Sequence, residues 1–210
     1  MNDHQLLKAL KAENLSLKQQ YGELLNESHR VWKLIQELNQ LQVNRRVLNS
    51  TADILAMVKE ILRIALEAVD SENGSLLLYD RDDHELVFIA VIGARSDELL
   101  DYRIPADQGI AGWVGMKGQS ALVSDVRRDS RWLPSVDQSV GFHSQSLMAV
   151  PLIIEDRLLG VMEVVNSRSE NHFEEKDLQL LRLVARLASF VLGFTEEVLR
   201  NTSPSSFEQV

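Results

Sequence analysis

From Leu6 to about Leu48 the chain carries no proline, one glycine (Gly22) and an apolar residue at every seventh position: Leu10, Leu17, Leu24, Val31 and Leu38. A strict sevenfold repeat winds two helices around each other, so these residues are read as the d positions of a coiled coil. Leu7, Asn14, Tyr21, Ser28, Ile35 and Gln42 then occupy the a positions, where a polar member such as Asn14 weakens the seam but fixes its register. A second series, Leu34, Leu41 and Leu48, enters three residues out of step near Leu38, as a stammer does. About 45 residues of helix would extend roughly 65 Å at 1.5 Å per residue, longer than the domain that follows. Such a helix needs a partner, and a second copy is the expected one. The alternative is a solvated helix folded back on its own domain.

The remaining chain supplies one core, at 45% hydrophobic and 25% charged residues overall. A formal net charge of −9 argues against a phosphate-binding role, and so against nucleic acid as a partner. Cysteine is absent, which removes disulfides, thiolate metal sites, nucleophilic thiols and thioether-linked chromophores. Met1 to Ala12 mixes polar residues with leucine and does not resemble a secretory leader. No apolar stretch approaches the roughly 20 residues that span a bilayer. The expectation is a cytoplasmic protein with no membrane contact.

Ser50, Thr51 and Asp53 mark a new helix start, with Ser50-x-x-Asp53 patterned as a capping box, followed by an apolar face of Ile54, Leu55, Val58, Ile61, Leu62, Ala65, Leu66 and Val69. After Asn73-Gly74 the period changes to that of strands, predicting a hairpin of Ser75 to Tyr79 and Glu85 to Ile92. Further strands are expected near Tyr102 to Ile104, Gln119 to Ser124, Ser146 to Ile154 and Leu158 to Asn166, with a short helix over Gly109 to Gly118. Asp125 to Gln145 reads as a loop of about twenty residues, a length usually reserved for function. Glu174, Glu175 and Asp177 open a last helix, running to about Arg200, with two apolar lines. The first is Leu180, Val184, Leu187, Val191, Phe194 and Val198; the second is Leu178, Leu181, Ala185, Ala188, Leu192 and Leu199. A sheet uses one line, leaving the other for another helix, either the first long one or its copy in a dimer. The domain is therefore α+β: six strands, mainly antiparallel, helices on one face and a lid on the other. Its limits are a coiled-coil helix over 1–48, the domain over 49–200 and a frayed tail over 201–210.

The run Ile104-Pro105-Ala106-Asp107-Gln108-Gly109-Ile110-Ala111-Gly112-Trp113-Val114 closely resembles the strand-to-helix segment over the pocket of the GAF domain family, a PAS-like fold. Ser124-Asp125-Val126 with Asp129 and Trp132 is similar to the family's lid loop. Gly141-Phe142, Ser146, Leu147 and Val150-Pro151-Leu152 resemble its fifth strand, and Gly160 to Asn166 its sixth. The resemblance implies a ligand cavity between the sheet and the segments Gly109 to Gly118 and Asp125 to Gln145. Candidate ligand-binding residues are Ser75, Gly109, Ile110, Ala111, Trp113, Asp125, Trp132, His143, Ser146 and Glu163. Ser75 and Glu163 fall where nucleotide-binding members place a hydroxyl and a base-contacting carboxylate, though both also fit as ordinary sheet residues. Gly109 and Gly112 either admit a ligand close to backbone or permit tight packing. Cyclic-nucleotide binders also carry Asn-Lys and Phe-x-x-x-Asp-Glu. Here Asn166 precedes Ser167, and Phe173-x-x-x-Asp177 precedes Leu178, so half of that signature is present.

No cysteine is available for methionine sulfoxide reduction or for covalent bilin. Haem is not expected, His143 being the one lid histidine placed to serve as an axial ligand. His4, His29, His84 and His172 show no metal-ligand spacing. Asp125, Asp129 and Asp137 are read as turn-forming aspartates. Arg127, Arg128 and Arg131 beside Trp132 are either solvated or a clamp for an anion. The cofactor is therefore unknown. The reading is a non-catalytic sensor that binds an unidentified small molecule and signals through dimeric helices to a partner protein. A dimerising adaptor with a vestigial pocket is the alternative, and a cyclic-nucleotide binder the third. Sedimentation separates the helix readings: the full chain is expected to run as a dimer and a version starting at Asn49 to shift toward monomer. A monomeric full chain rules out the coiled coil.

Overall fold

A computed structural model describes residues 8, 11–22, 26, 30, 33, 51–168 and 172–202, which fall into two compact units, Met1–Gln42 and Val43–Val210. Every described residue of the first unit is helical, and over 11–22 all but Gly22 are exposed, Leu15, Leu17 and Tyr21 among them. Asn14 and Leu17 of the expected seam lie in this helix; Leu10, Leu24, Val31 and Leu38 lie outside the described residues, as do the Ser50 cap and the tail from 203 onward.

The second unit opens with α1 (Thr51–Ala68) and runs through β1 (Ser71–Asp80), β2 (Glu85–Ile92), α2 (Ser96–Leu99), β3 (Arg103–Pro105), α3 (Gly109–Lys117) and β4 (Ala121–Val123). A 3-10 turn at Val126–Arg128, α4 (Pro134–Val140), β5 (Leu147–Ile154), β6 (Arg157–Ser167) and α5 (Glu175–Thr202) complete it. The strands form one sheet in the order β3-β2-β1-β6-β5-β4, with every neighbouring pair antiparallel. The expected α+β class and six-stranded sheet are what the structure has.

Strand alternation decides which residues meet which layer. On β6, Val161, Glu163 and Val165 face the lid, while Met162 and Val164 face the helices. On β5, Leu147 and Ala149 join the lid-side cluster. On α1, Ile54, Val58, Ile61, Leu62, Ala65 and Leu66 are buried at helical spacing, whereas Leu55, expected on that face, is 39% exposed. α5 packs on β5 and on α1. That packing buries Leu178, Leu181, Val184, Ala185, Ala188, Val191 and Leu192, and leaves Leu183 and Phe190 exposed. No helix among the described residues is long and apolar enough to cross a membrane.

Three local expectations change. β1 begins at Ser71, not Ser75, because Asn73-Gly74 is not a turn. Gly74 pairs with both Ile92 and Val164, and a Cβ there would stand 2.7 Å from the Glu163 carbonyl and 2.9 Å from Leu66, so the missing side chain lets α1 close on the sheet. The segment Asp125 to Gln145 is not structureless: it holds the 3-10 turn and α4, which has Pro134 in its first turn and Gly141 in the left-handed conformation at its end. The helix α2 was not expected from the sequence, its four residues being too short to show a period.

Gly160 of β6 packs so tightly between β1 and β5 that a methyl group there would strike the Leu77 carbonyl. Gly160→Ala is therefore expected to lower unfolding stability by at least about 1–3 kcal/mol, the usual cost of overpacking, measured by urea denaturation.

Candidate functional site

The lid face of the sheet is almost wholly apolar, with Leu77, Phe88, Val91, Leu147, Ala149 and Val161 buried in one cluster with Ile110 and Ala111 of α3. Into this surface β1 and β6 bring one polar pair. Ser75 stands opposite Glu163 in the antiparallel register, and its Oγ donates to Glu163 Oε2 at 3.3 Å. Glu163 is 9% exposed, and among the described residues no group hydrogen-bonds its Oε1. Over the pair lies a cavity of about 100 Å³. Trp132, Leu133 and Val136 roof it from the α4 segment, and Gly109, Ile110 and Ala111 border it from the first turn of α3.

Burial in this apolar surround pushes the Glu163 carboxyl up from 4.5 to about 7, opposed by the Ser75 hydrogen bond and reinforced by the negative charge of Asp137. Asp137, on α4, also lines the cavity. Its Oδ2 accepts from the Ser144 backbone N–H at 2.7 Å and its Oδ1 from the Ser144 hydroxyl at 2.8 Å, bracing α4 against the chain that returns to β5. Asn166, at φ 61°, holds that returning chain: its Oδ1 accepts from Gln145 N–H at 2.7 Å and its Nδ2 donates to the His143 carbonyl at 2.9 Å. The lid is thus tied by hydrogen bonds at its C-terminal root and rests on apolar contacts over the cavity.

Six expected residues, Ser75, Gly109, Ile110, Ala111, Trp132 and Glu163, line this cavity. Four stand elsewhere. Trp113 packs against the apolar cluster with the Arg131 guanidinium 4.3 Å above its ring. Asp125 caps the 3-10 turn, accepting from Arg127 N–H. His143 lies on an adjoining outer groove of about 550 Å³, which shares Trp132, Asp137, Phe142 and Ser144 with the cavity, and its Nδ1–H donates to the Phe142 carbonyl. Ser146 is buried with its Oγ accepting from Ser167 N–H. The arginines do not converge as a clamp: Arg127 pairs with Asp125, and Arg131 with Asp129, whose carboxyl it holds below the usual range. Asp137, Ser144 and Phe88 were not singled out as pocket residues, since only folding brings them beside Glu163.

The half signature of cyclic-nucleotide binders is accounted for structurally. Asn166 ties the lid root, Phe173 is buried, and Asp177 Oδ2 accepts from Glu174 N–H at 2.8 Å at the start of α5.

A family model described as "GAF domain" matches residues 51–193, which contains every element described above from α1 to β6 and most of α5. The chain belongs to the GAF domain family. Its sheet and helices superpose on the GAF domain of a phosphoenolpyruvate-protein phosphotransferase from Coxiella burnetii with a TM-score of 0.70 at 17% identity, over 83% of this chain and 99% of that one. Among curated proteins, the probable 3',5'-cyclic phosphodiesterase pde-5 of Caenorhabditis elegans is 23% identical over 154 residues, covering 69% of this chain. The cone cGMP-specific 3',5'-cyclic phosphodiesterase subunit alpha' of Mus musculus is 32% identical over 87 residues, or 41% of this chain. The alignments span only 21% and 10% of those two relatives. GAF domains generally serve as sensory and regulatory modules.

The raised carboxyl ties Glu163 to stability. It keeps its proton in the folded GAF domain where the unfolded chain has lost it, so its own contribution to stability is greatest below 4.5, falls as pH rises and levels off above about 7. Glu163→Gln removes this loss. The variant is expected to match the parent near pH 4.5 and to exceed it at pH 8 by up to about 3 kcal/mol in urea titrations, at 1.36 kcal/mol per pH unit.

Proposed function

We propose that this protein is a non-catalytic sensor whose GAF cavity binds a small molecule and whose helices pass its occupancy to a partner protein. The observation that carries this reading is a buried carboxyl group, Glu163, facing a half-open cavity with an oxygen that has no partner among the described residues. A buried acceptor without a donor is costly to keep for stability alone, so its retention is best explained by a ligand. The lid suits a response. α4 is braced to the chain beyond it through Asp137 and rests on the cavity through Trp132, Leu133 and Val136, so a ligand beneath it acts on an element free to shift as a body.

Cyclic nucleotide, suggested by the names of the relatives, is not the preferred ligand. Among the described residues neither Lys nor Arg lines the cavity, and about 100 Å³ is below the roughly 300–1,000 Å³ of pockets for larger ligands. A dimeric state is part of the proposal and draws on the exposed Leu15, Leu17 and Tyr21 of the N-terminal helix. The second reading is an adaptor with a vestigial cavity, and the exposed Leu183 and Phe190 on α5 favour it, as an apolar face offered to a protein.

Hydrogen exchange on the full chain, with and without the small-molecule fraction of a cell extract, separates the two. The sensor is expected to gain protection across residues 125–145 and a higher melting temperature. Unchanged exchange and melting with every fraction favour the adaptor.

A further inference from the structure

The polar wall of the cavity is one-sided. Among the described residues its ionisable members are two carboxyl groups, Glu163 from β6 and Asp137 from α4; the lining residues from β1, β2, α3 and β5 do not ionise. The hydroxyl protons of the wall are already committed: Ser75 donates to Glu163, and Ser144 donates to Asp137. The side chains of Asn73 and Trp132 add N–H donors to the lining, and the acceptor left open for a ligand is Glu163 Oε1. Around it stand Phe88, Val91, Ile110, Leu133 and Leu147.

We propose that the cavity selects a small apolar molecule bearing an ammonium group, held by Glu163 and favoured by Asp137. The assignment rests on the cavity being the ligand site proposed above, and adds the charge and size of what it takes. An ammonium supplies the donors that Glu163 lacks and offsets the like charge of the two carboxylates, while its hydrocarbon body fills the apolar wall. One feature opposes it. The first turn of α3 borders the cavity, and a helix N-terminus carries roughly half a positive charge. Two carboxylates outweigh that half charge at close range, and one of them is buried where screening is weakest.

The nearby arginines do not reverse the balance. Arg127 and Arg131 are paired with Asp125 and Asp129, and Arg95, near Gly141 beyond the end of α4, is paired with Glu98. None of the three lines the cavity. Because Glu163 titrates near 7 in the folded chain, a cation binds its ionised form and is expected to bind about tenfold more tightly at pH 8 than at pH 6.

The test uses three probes of one shape and different charge on the full chain: 3-methylbutylamine, 3-methylbutanol and 3-methylbutyrate. Calorimetry and thermal shift are expected to rank the amine first, with its affinity rising about tenfold from pH 6 to 8. Glu163→Gln is expected to weaken the amine at least about tenfold at pH 8 and to leave the alcohol unchanged. That variant stays folded by the stability argument above, and its urea midpoint verifies this. Tighter binding of the butyrate or the alcohol overturns the charge assignment while supporting the cavity as a ligand site. Equal amine affinity in parent and Glu163→Gln overturns the role of Glu163. No binding of any probe also overturns the assignment, and exchange across 125–145 with extract fractions then judges the sensor reading separately.

Discussion

The antiparallel pairing of β6 with β1 on one side and β5 on the other holds the rest of this molecule in place. β6 is buried on both faces, so it presents Met162 and Val164 to the helices and Val161 and Val165 to the lid, and every layer is positioned by it. Gly74 and Gly160 make the pairing possible at two points where a side chain has no room. A glycine in a strand normally weakens it; here each is explained by what comes close, α1 in one case and the β1 backbone in the other.

The same alternation creates the tension at the site. The position between Val161 and Val165 faces the lid whatever residue occupies it, and this chain puts a glutamate there. Its one hydrogen bond, from Ser75 at 3.3 Å, does not make up for the loss of water, and so the carboxyl rises to about 7. The domain accepts a cost in stability at a position where leucine would have packed. Costs of this kind concentrate where binding requires them.

The lid translates the site into something that can move. Its C-terminal root is tied by Asn166 and Asp137, while its roof over the cavity consists of apolar contacts from Trp132, Leu133 and Val136. Hydrogen bonds fix direction and apolar contacts tolerate sliding, so the proposed ligand under the roof would shift α4 more readily than the sheet. Across the sheet, α1 and α5 pack on each other, and α5 keeps Leu183 and Phe190 exposed on its outer side.

The sequence by itself determined the strand and helix periods, the six-strand count, the absence of thiol chemistry and the family, because these depend on neighbours along the chain. Local patterns such as Pro134 and Gly141 also bracketed α4, a signal present in the sequence but outweighed by the polarity of the segment. Ser75 and Glu163 were legible as candidates only through the family pattern. Only the tertiary structure decided that they sit opposite each other and that Asp137, 26 positions from Glu163 in the chain, faces the same cavity while Trp113, Asp125, His143 and Ser146 do not. A side chain's electrostatic surroundings are set by residues far away in sequence, and no periodicity records them. For the same reason composition showed a chain rich in acid, but not that a cavity would be lined by two carboxyl groups with no cation among the described residues of its walls.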